Sequence, residues 1–129
     1  MIVDTSAVVA VHEGEDDGAQ FLEKMRHEPA LKISAGTLLE TSIVLDARQP
    51  GRTSRRLDRL IADLNIRIVA VDDEHVRVAR AAYRDFGRGS GHPAALNFGD
   101  CFAYALASIT GEPLLFKGDD FRHTDVRIA

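Results

Sequence analysis

Four acidic positions stand out in this sequence because each follows shortly after an apolar segment or opens an apolar helical pattern. They are Asp4, Glu40, Asp100 and the adjacent pair Asp119 and Asp120. Carboxylates that gather in one place repel one another unless a cation lies among them. Oxygen ligands without competing histidine or cysteine suit Mg²⁺ or Mn²⁺. If the fold brings these acids together, they predict a divalent-metal site.

Each acid also has a structural explanation that involves no chemistry. Asp4 can cap a helix that begins at Thr5. The segment "TLLE" (Thr37–Glu40) matches a capping box, in which the acid lies three residues after the cap. Asp100 falls in a first helical turn, where the helix dipole favours a carboxylate. Capping and metal binding are compatible at one residue, so both interpretations stay open.

The predicted direction of two side chains favours chemistry. Glu40 shares a helix face with Ile43, Val44 and Ala47, whereas a residue that only caps a helix would face water. Asp100 lies above Ala103, Tyr104 and Ala107 on its helix, and these largely small residues leave room beside it. The spacing therefore points both carboxylates toward the interior of the fold.

Short apolar segments alternate with helical patterns along the chain. The predicted strands are Met1–Val3, Leu31–Ser34, Ile66–Val71 and Pro113–Phe116, with "VRIA" (126–129) as a candidate fifth. The predicted helices are Thr5–His12, Ala19–His27, Thr37–Arg48 (ended by Gln49-Pro50-Gly51), a helix with Leu57, Leu60, Ile61 and Leu64 on its core side, Asp73–Phe86, and Asn97–Thr110, which is expected to bury Phe98 and Cys101. Strands separated by helices indicate a parallel sheet covered on both faces. The predicted fold is α/β: a single three-layer α/β/α domain over residues 1–129 with a central parallel sheet of four to five strands.

Within that sheet, the segment Ile66–Val71 is expected to be a buried strand, because it is nearly continuous in β-branched residues. Ligands of open parallel sheets bind beyond the carboxyl ends of the strands. The acids that follow the strands are therefore expected to meet at one edge of the sheet.

Composition limits the class of protein. The chain has 129 residues, of which 45% are hydrophobic and 28% charged, as in an ordinary globular domain. No apolar run approaches the roughly 20 residues of a membrane span, and the acid at position 4 argues against a signal peptide. The single cysteine, Cys101, excludes an internal disulfide and favours a cytoplasmic protein. A net charge of −4 argues against a nucleic-acid coat protein, but it is compatible with an enzyme that meets phosphates through metal ions.

Four segments, in order, resemble the PIN-domain ribonucleases, and among them the VapC-type toxins of bacterial type II toxin–antitoxin systems. They are "IVDTSAVVAV", "LLET", "LNFGDCFAYALA" and "PLLFKGDDF". The resemblance covers essentially the whole chain, and its most specific part is "FGDCFAYALA" followed by "LLFKGDDF". It implies a PIN-like nuclease domain that uses Mg²⁺ or Mn²⁺ as an endoribonuclease.

The resemblance also implies roles for individual residues. The implied catalytic set is Asp4, Glu40, Asp100 and Asp119, with Asp4 and Asp100 as metal ligands and Thr5 and Ser6 as supporting hydroxyls. Family members often have Asp-x-Asp-Phe or an asparagine where this chain has "GDDF". Asp119 and Asp120 are therefore alternatives for the fourth acid, and Asp119 is preferred.

The implied reaction is hydrolysis of an RNA phosphodiester by metal-activated water, which leaves a 5′-phosphate and a 3′-hydroxyl. The implied partners are the RNA substrate, a cognate VapB-type antitoxin and a second copy of the chain in a homodimer. In such toxins the antitoxin's C-terminal segment lies along the first helices, so the acidic segment "EGEDDG" (Glu13–Gly18) is a candidate for steering it. The alternative is a non-catalytic RNA- or partner-binding module on the same fold.

Three further features of the sequence carry predictions: a stripe of arginines, a lysine near the fourth acid and the single cysteine. Arg77, Arg80 and Arg84 form a stripe that fits a solvated helix face or a phosphate-binding track. Lys117 lies near the fourth acid and is expected to pair with it or with a phosphate. Cys101 is expected to be a small core residue, because no base is available to activate it.

Overall fold

A four-stranded parallel sheet organises the computed structural model, which describes residues 1–48 and 53–129. Within those residues the strands are β1 (Ile2–Val3), β2 (Lys32–Ser34), β3 (Arg67–Val69) and β4 (Leu114–Leu115), in the spatial order β3-β2-β1-β4. The helices are α1 (Thr5–Glu13), α2 (Gly18–His27), α3 (Ala35–Arg48), α4 (Thr53–Asp63), α5 (Asp73–Phe86) and α6 (Asp100–Thr110), followed after β4 by a 3₁₀ helix at Asp120–His123. Each strand pair in this sheet is parallel. The predicted α/β class is confirmed.

Side chains of the central strands alternate between the two faces of the sheet. Ile2 and Leu114 pack in one hydrophobic cluster, and Val3 and Leu115 pack in the other. All four are buried. This alternation is what a pleated strand requires when both of its faces are covered. The sheet therefore lies between two helical layers, as predicted.

The prediction for the third strand is wrong in one respect. Among the described residues β3 is an edge strand that pairs with β2 alone, and the side chain of Ile68 is 51% exposed. Its β-branched composition correctly indicates a strand, but composition does not determine where a strand lies in the sheet. The candidate fifth strand is reduced to a single bridge between Leu114 and Ile128.

Two helix starts also differ from the prediction. α3 begins at Ala35, directly after β2, and α6 begins at Asp100 rather than at Asn97. Phe98 therefore precedes its helix and is 76% exposed instead of buried, whereas Cys101 is buried as predicted. The predicted helix stop at 49–51 lies outside the described residues.

The remaining helices match their predictions closely. α5 has the predicted bounds, Asp73–Phe86, and α1 and α2 differ from the predicted ranges by one residue each. Among the described residues, no helix combines the length and the apolar character that crossing a membrane requires.

Candidate active site

A pocket of about 230 Å³ lies where Asp4 and α1, α3, the start of α6 and the segment after β4 meet. Its polar lining consists of Asp4, Thr5, Ser6, Glu40, Arg48, Asn97, Asp100, Lys117 and Asp120. The structure thus brings together an acid from each of the four predicted positions. It does so because each acid follows a strand of one parallel sheet or begins a helix beside it.

Asp4 combines the two roles that the sequence left open. It is the N-cap of α1, and its Oδ2 accepts hydrogen bonds from the Ser6 backbone N–H (2.9 Å) and the Ser6 hydroxyl (2.6 Å). Its other oxygen, Oδ1, is buried and accepts no hydrogen bond from any described residue. The residue is only 3% exposed, and this burial raises the pKa of its carboxyl despite the bonds from Ser6. Oδ2 thus caps α1, and Oδ1 is available to a ligand.

Asp100 is held by a reciprocal pair of hydrogen bonds that the sequence analysis missed. Its Oδ2 accepts from the Asn97 backbone N–H (2.7 Å), and the Asn97 side-chain oxygen accepts from the Asp100 backbone N–H (2.9 Å). The signal is present in "NFGD", where an amide lies three residues before the acid, as in a capping box. Asn97 therefore fixes the carboxylate and also lines the pocket.

The environment of Asp100 disfavours a negative charge. Burial raises the pKa of its carboxyl to about 7, and the charges of Asp4, Glu40 and Asp120 contribute to the shift. A carboxylate in such surroundings is stabilised by a nearby cation. The neighbouring Cys101 is buried, as predicted, and this burial raises the pKa of its thiol to about 11.

Glu40 reaches the pocket from α3. Its Oε2 accepts a hydrogen bond from the Thr5 hydroxyl at 2.7 Å. Burial, followed by the charge of Asp4, raises the pKa of its carboxyl. The predicted capping box is wrong, because α3 begins two residues before Thr37 and this threonine lies buried inside the helix.

The predicted orientation of Glu40 is also wrong in detail. The core side of α3 carries Thr37, Thr41 and Leu45, whereas Ile43 is exposed. Glu40 lies at the border between the core side and the surface, and this position lets its carboxylate line the pocket while the stem packs.

The two candidates for the fourth acid separate clearly. The Asp119 side chain is 83% exposed and pairs with Arg122 at 3.2 Å, and it is not part of the pocket lining. Asp120 lines the pocket, and its charge contributes to the raised pKa of Asp4 and Asp100. Position in the structure therefore favours Asp120 over Asp119 as the fourth acid, and the role of either residue stays a prediction. The reason is the turn at Gly118 (φ 100°) and the 3₁₀ helix that begins at Asp120, neither of which the spacing reveals.

Ser6 connects the pocket floor to the segment after β4. Its hydroxyl donates to Asp4 and accepts from the Lys117 backbone N–H at 2.9 Å. The Lys117 ammonium does not pair with the fourth acid but binds Glu15 (2.6 Å) and Asp17 (2.9 Å) of the acidic segment. The Arg48 guanidinium lies 3.7 Å from Glu15. The pocket thus has an acidic interior and two cations at its rim, and the sequence analysis did not identify Arg48.

The oxygen ligands of the pocket fit a hydrated divalent cation. Within residues 1–48 and 53–129, no three carboxylate, imidazole or thiol groups lie close enough together to bind one ion directly. Mg²⁺ needs no such group, since it keeps several waters and binds through one or two carboxylates. Such a cation would give Oδ1 of Asp4 a partner. It would also stabilise the charged form of Asp100, whose pKa is raised.

Comparison with known proteins agrees with this architecture. The model of the PIN domain family matches residues 1–127. The chain therefore belongs to the PIN-domain family.

Its curated relatives define the branch of that family. The chain is 54% identical over 130 residues to ribonuclease VapC42 of Mycobacterium tuberculosis, a match that covers 100% of this chain and 98% of the relative. It is 50% identical over 129 residues to ribonuclease VapC28 of the same species, covering 100% and 97%. These similarities place the chain among the VapC-type PIN domains, and the resemblance seen in the sequence is confirmed.

Solved structures share the fold at low sequence identity. VapC20 of M. tuberculosis, described as a sarcin-ricin loop cleaving toxin, superposes with a TM-score of 0.77 at 18% identity, covering 99% of this chain and 97% of the other. VapBC2 from Rickettsia felis, bound to a DNA fragment from its promoter, superposes with a TM-score of 0.75 at 14% identity, covering 98% and 94%. At these identities the likeness establishes the fold.

Proposed function

We propose that the protein is a metal-dependent endoribonuclease that acts as the toxin of a toxin–antitoxin pair. The observation that carries the proposal is the pocket in which Asp4, Glu40, Asp100 and Asp120 converge, with Oδ1 of Asp4 buried and unpartnered among the described residues. Its support is the 54% identity, over the full chain, to a protein named a ribonuclease.

Asp4 and Asp100 are the proposed ligands of Mg²⁺ or Mn²⁺. Such an ion supplies a water of lowered pKa and stabilises the charge that builds on the phosphate. The bonds from Ser6 and Asn97 fix the two aspartates before substrate arrives, so little reorganisation is needed.

Glu40 and Asp120 complete the acid set that lines the pocket. Glu40, fixed by Thr5, would accept a hydrogen bond from the attacking water and orient it. Asp120 lies on the exposed rim, where it can accept from solvent. Hydrolysis by this set leaves a 5′-phosphate and a 3′-hydroxyl on the RNA.

The rim cations are the proposed contacts to RNA phosphates. Lys117 and Arg48 line the pocket beside the acids, and each is within 4 Å of Glu15 in the free chain. A phosphate that enters the pocket competes with Glu15 and Asp17 for these cations. Arg77 and Arg80 line a separate depression on α5, which is a second candidate contact to RNA phosphates.

An exposed apolar surface is the proposed homodimer interface. We define it as the exposed side chains of Leu39, Ile43, Val76, Tyr83 and Phe98. Two pockets of about 430 and 290 Å³ share Phe98 and Phe102 and join the α5 part of this surface to the α3 part. A contiguous apolar surface of this kind marks a protein interface. We propose that a second copy of the chain covers it, and that a VapB-type antitoxin binds along the first helices.

The alternative is a binding module that uses the apolar surface and never cleaves RNA. The proposed activity also assigns the protein to the cytoplasm, where RNA is available and Cys101 stays reduced. Both the enzyme and the module would bind a partner, so only chemistry separates them.

The deciding experiment is Mn²⁺-dependent cleavage of total bacterial RNA by the wild type and by Asp100→Asn, purified identically, with new 5′ ends mapped by sequencing. We expect discrete cuts with 5′-phosphates from the wild type alone. Asp119→Asn is the matched control, because it removes a carboxylate outside the pocket, and it should cut like the wild type. Equal cutting by the wild type and Asp100→Asn, or no cutting of any bacterial RNA, would reject catalysis by this pocket.

A further inference from the structure

The backbone at Gly99 does not require glycine. Its φ of −65° and ψ of −43° lie in the right-handed helical region, which every L-residue adopts. Gly14, Gly111 and Gly118, by contrast, have positive φ values that favour glycine. Gly99 is buried at the start of α6, where alanine would be the better helix former. Something other than conformation accounts for the absence of a side chain.

The space beside Gly99 holds the carboxylate of Glu40. A methyl group built on Gly99 would overlap the Cδ and both carboxylate oxygens of Glu40. The two residues come from different helices and approach only in the folded chain. Because the overlapping atoms form the end of a flexible side chain, a methyl group would displace the carboxylate rather than unfold the helix.

Hydroxyl groups hold the same carboxylate from its other side. Thr5 donates to Oε2 of Glu40, and the Thr41 hydroxyl lies 3.1 Å from the Thr5 hydroxyl. Thr41 is fully buried, and the single proton of its hydroxyl is shared between the Thr5 oxygen and the Thr37 carbonyl oxygen, which lies at 2.8 Å. The Glu40 carboxylate is thus held between a chain of two hydroxyls and a bare backbone.

We propose that Gly99 is a positioning residue of the acid pocket: its missing side chain admits the Glu40 carboxylate against the start of α6, where Thr5 and Thr41 hold it. Gly99 directly precedes Asp100, so this contact also sets how Glu40 lies relative to Asp100. The proposal rests on the proposed function for its kinetic consequence, but the placement of Glu40 can be tested without it.

The first test is a crystal structure of Gly99→Ala compared with one of the wild type. We expect Glu40 to leave Thr5 while the backbones of α3 and α6 stay in place. If Glu40 remains within hydrogen-bond distance of Thr5 and α6 shifts instead, the proposal is overturned. This outcome is independent of whether the protein cleaves RNA.

The second test is kinetic. Displacing an acid by an ångström or more costs roughly 10- to 100-fold in rate, so Gly99→Ala should lower kcat by that factor with KM nearly unchanged. In a Glu40→Gln background, adding Gly99→Ala should change the residual rate less than twofold, because the displaced charge is already gone. Equal losses in both backgrounds would show that Gly99 acts independently of Glu40.

The hydroxyl chain offers a matched pair of variants on one helix. Thr41 and Ser42 each bond the carbonyl four residues earlier, but only Thr41 contacts Thr5. Thr41→Val should lower kcat about threefold to tenfold, Thr41→Ser should restore it, and Ser42→Ala should leave it unchanged. Equal effects of Thr41→Val and Ser42→Ala would reduce Thr41 to a structural residue and overturn its part of the proposal.

Discussion

The acid pocket and the exposed apolar surface meet at residues 98–100. Each contains a side chain whose burial is the opposite of what its polarity favours. Asp100 is buried although its environment disfavours charge, whereas Phe98, two residues earlier, is exposed although it is apolar. Burying a charge and exposing an aromatic ring are opposite departures from ordinary burial. In the proposed function each would be relieved by a different class of ligand: a cation in the pocket and a second copy of the chain over the surface. Gly99, between them, is the point where the chain passes from one region to the other.

The largest loss of RNA cleavage is expected from Asp4→Asn, which removes a charge from the acid pocket but preserves the cap of α1. Asp4→Asn removes the charge but keeps an oxygen that can accept from Ser6, and asparagine caps helices as well as aspartate. RNA cleavage should fall roughly 1,000-fold, because the loss of a metal ligand removes several kcal/mol of transition-state stabilisation, while the melting temperature stays near that of the wild type. A variant that cleaves within tenfold of the wild-type rate would contradict the role of Asp4.

A smaller loss of cleavage rate should distinguish Asp120 from the adjacent Asp119. Asp120→Asn removes an acid that lines the pocket and should slow cleavage roughly 10- to 100-fold. Asp119→Asn removes an exposed acid paired with Arg122 and should change the rate less than twofold. Single-turnover cleavage of one mapped RNA site measures both. The opposite ranking would return the fourth role to Asp119.

A substitution in the apolar surface should weaken the homodimer independently of the acid pocket. Phe98→Ser removes the most exposed aromatic side chain of the surface, and we expect it to weaken the homodimer at least tenfold. Light scattering over a concentration series measures the equilibrium. Ile128→Ser is the control, because Ile128 is an exposed apolar residue outside this surface. A dimer that tolerates Phe98→Ser would place the interface elsewhere.

The smallest effect is a pH dependence that originates in the pocket. The pKa of Asp100 is about 7 in the folded chain against 3.8 ordinarily, so the unfolded chain releases this proton first as the pH rises. The stabilisation associated with its protonated form is complete below about pH 4 and is lost as the pH rises to about 7. Asp4 and Glu40 are shifted in the same direction.

The measurement is the melting temperature of the metal-free wild type and of Asp100→Asn across this range. Between pH 4 and pH 7 the melting temperature of Asp100→Asn should rise relative to that of the wild type. Above pH 7 the difference between the two melting temperatures should stay constant. Added Mn²⁺ at pH 8 should raise the melting temperature of the wild type only. A difference that does not change with pH would show that Asp100 titrates normally.

Some of this architecture is readable from the sequence because the signals are local and repeated. The bounds of α5 follow from an acidic start, a regular apolar spacing and a glycine at the end. The convergence of Asp4, Glu40 and Asp100 follows from a general property of parallel sheets, which gather what comes after their strands.

Other features depend on relations that no single segment contains. The edge position of β3 depends on which strand it pairs with, so its composition could not reveal that Ile68 is exposed. The choice between Asp119 and Asp120 depends on a turn of one residue at Gly118. The orientation of Glu40 depends on where α3 begins: β2 runs directly into that helix, and the hydroxyl oxygen of Ser34 accepts from the first-turn Gly36 N–H at 3.3 Å.

The ion pairs of Lys117 make the pocket mouth sensitive to ionic strength. Asp4 and Asp100 are held by hydrogen bonds to backbone N–H groups, which dissolved salt barely weakens. The acidic segment is held to the rim by exposed pairs between Lys117 and both Glu15 and Asp17. Such pairs weaken as salt shortens the range of electrostatic attraction, which is about 8 Å at physiological ionic strength. The hydrogen bonds that hold the two aspartates are therefore insensitive to salt, whereas the ion pairs at the pocket rim weaken as the salt concentration rises.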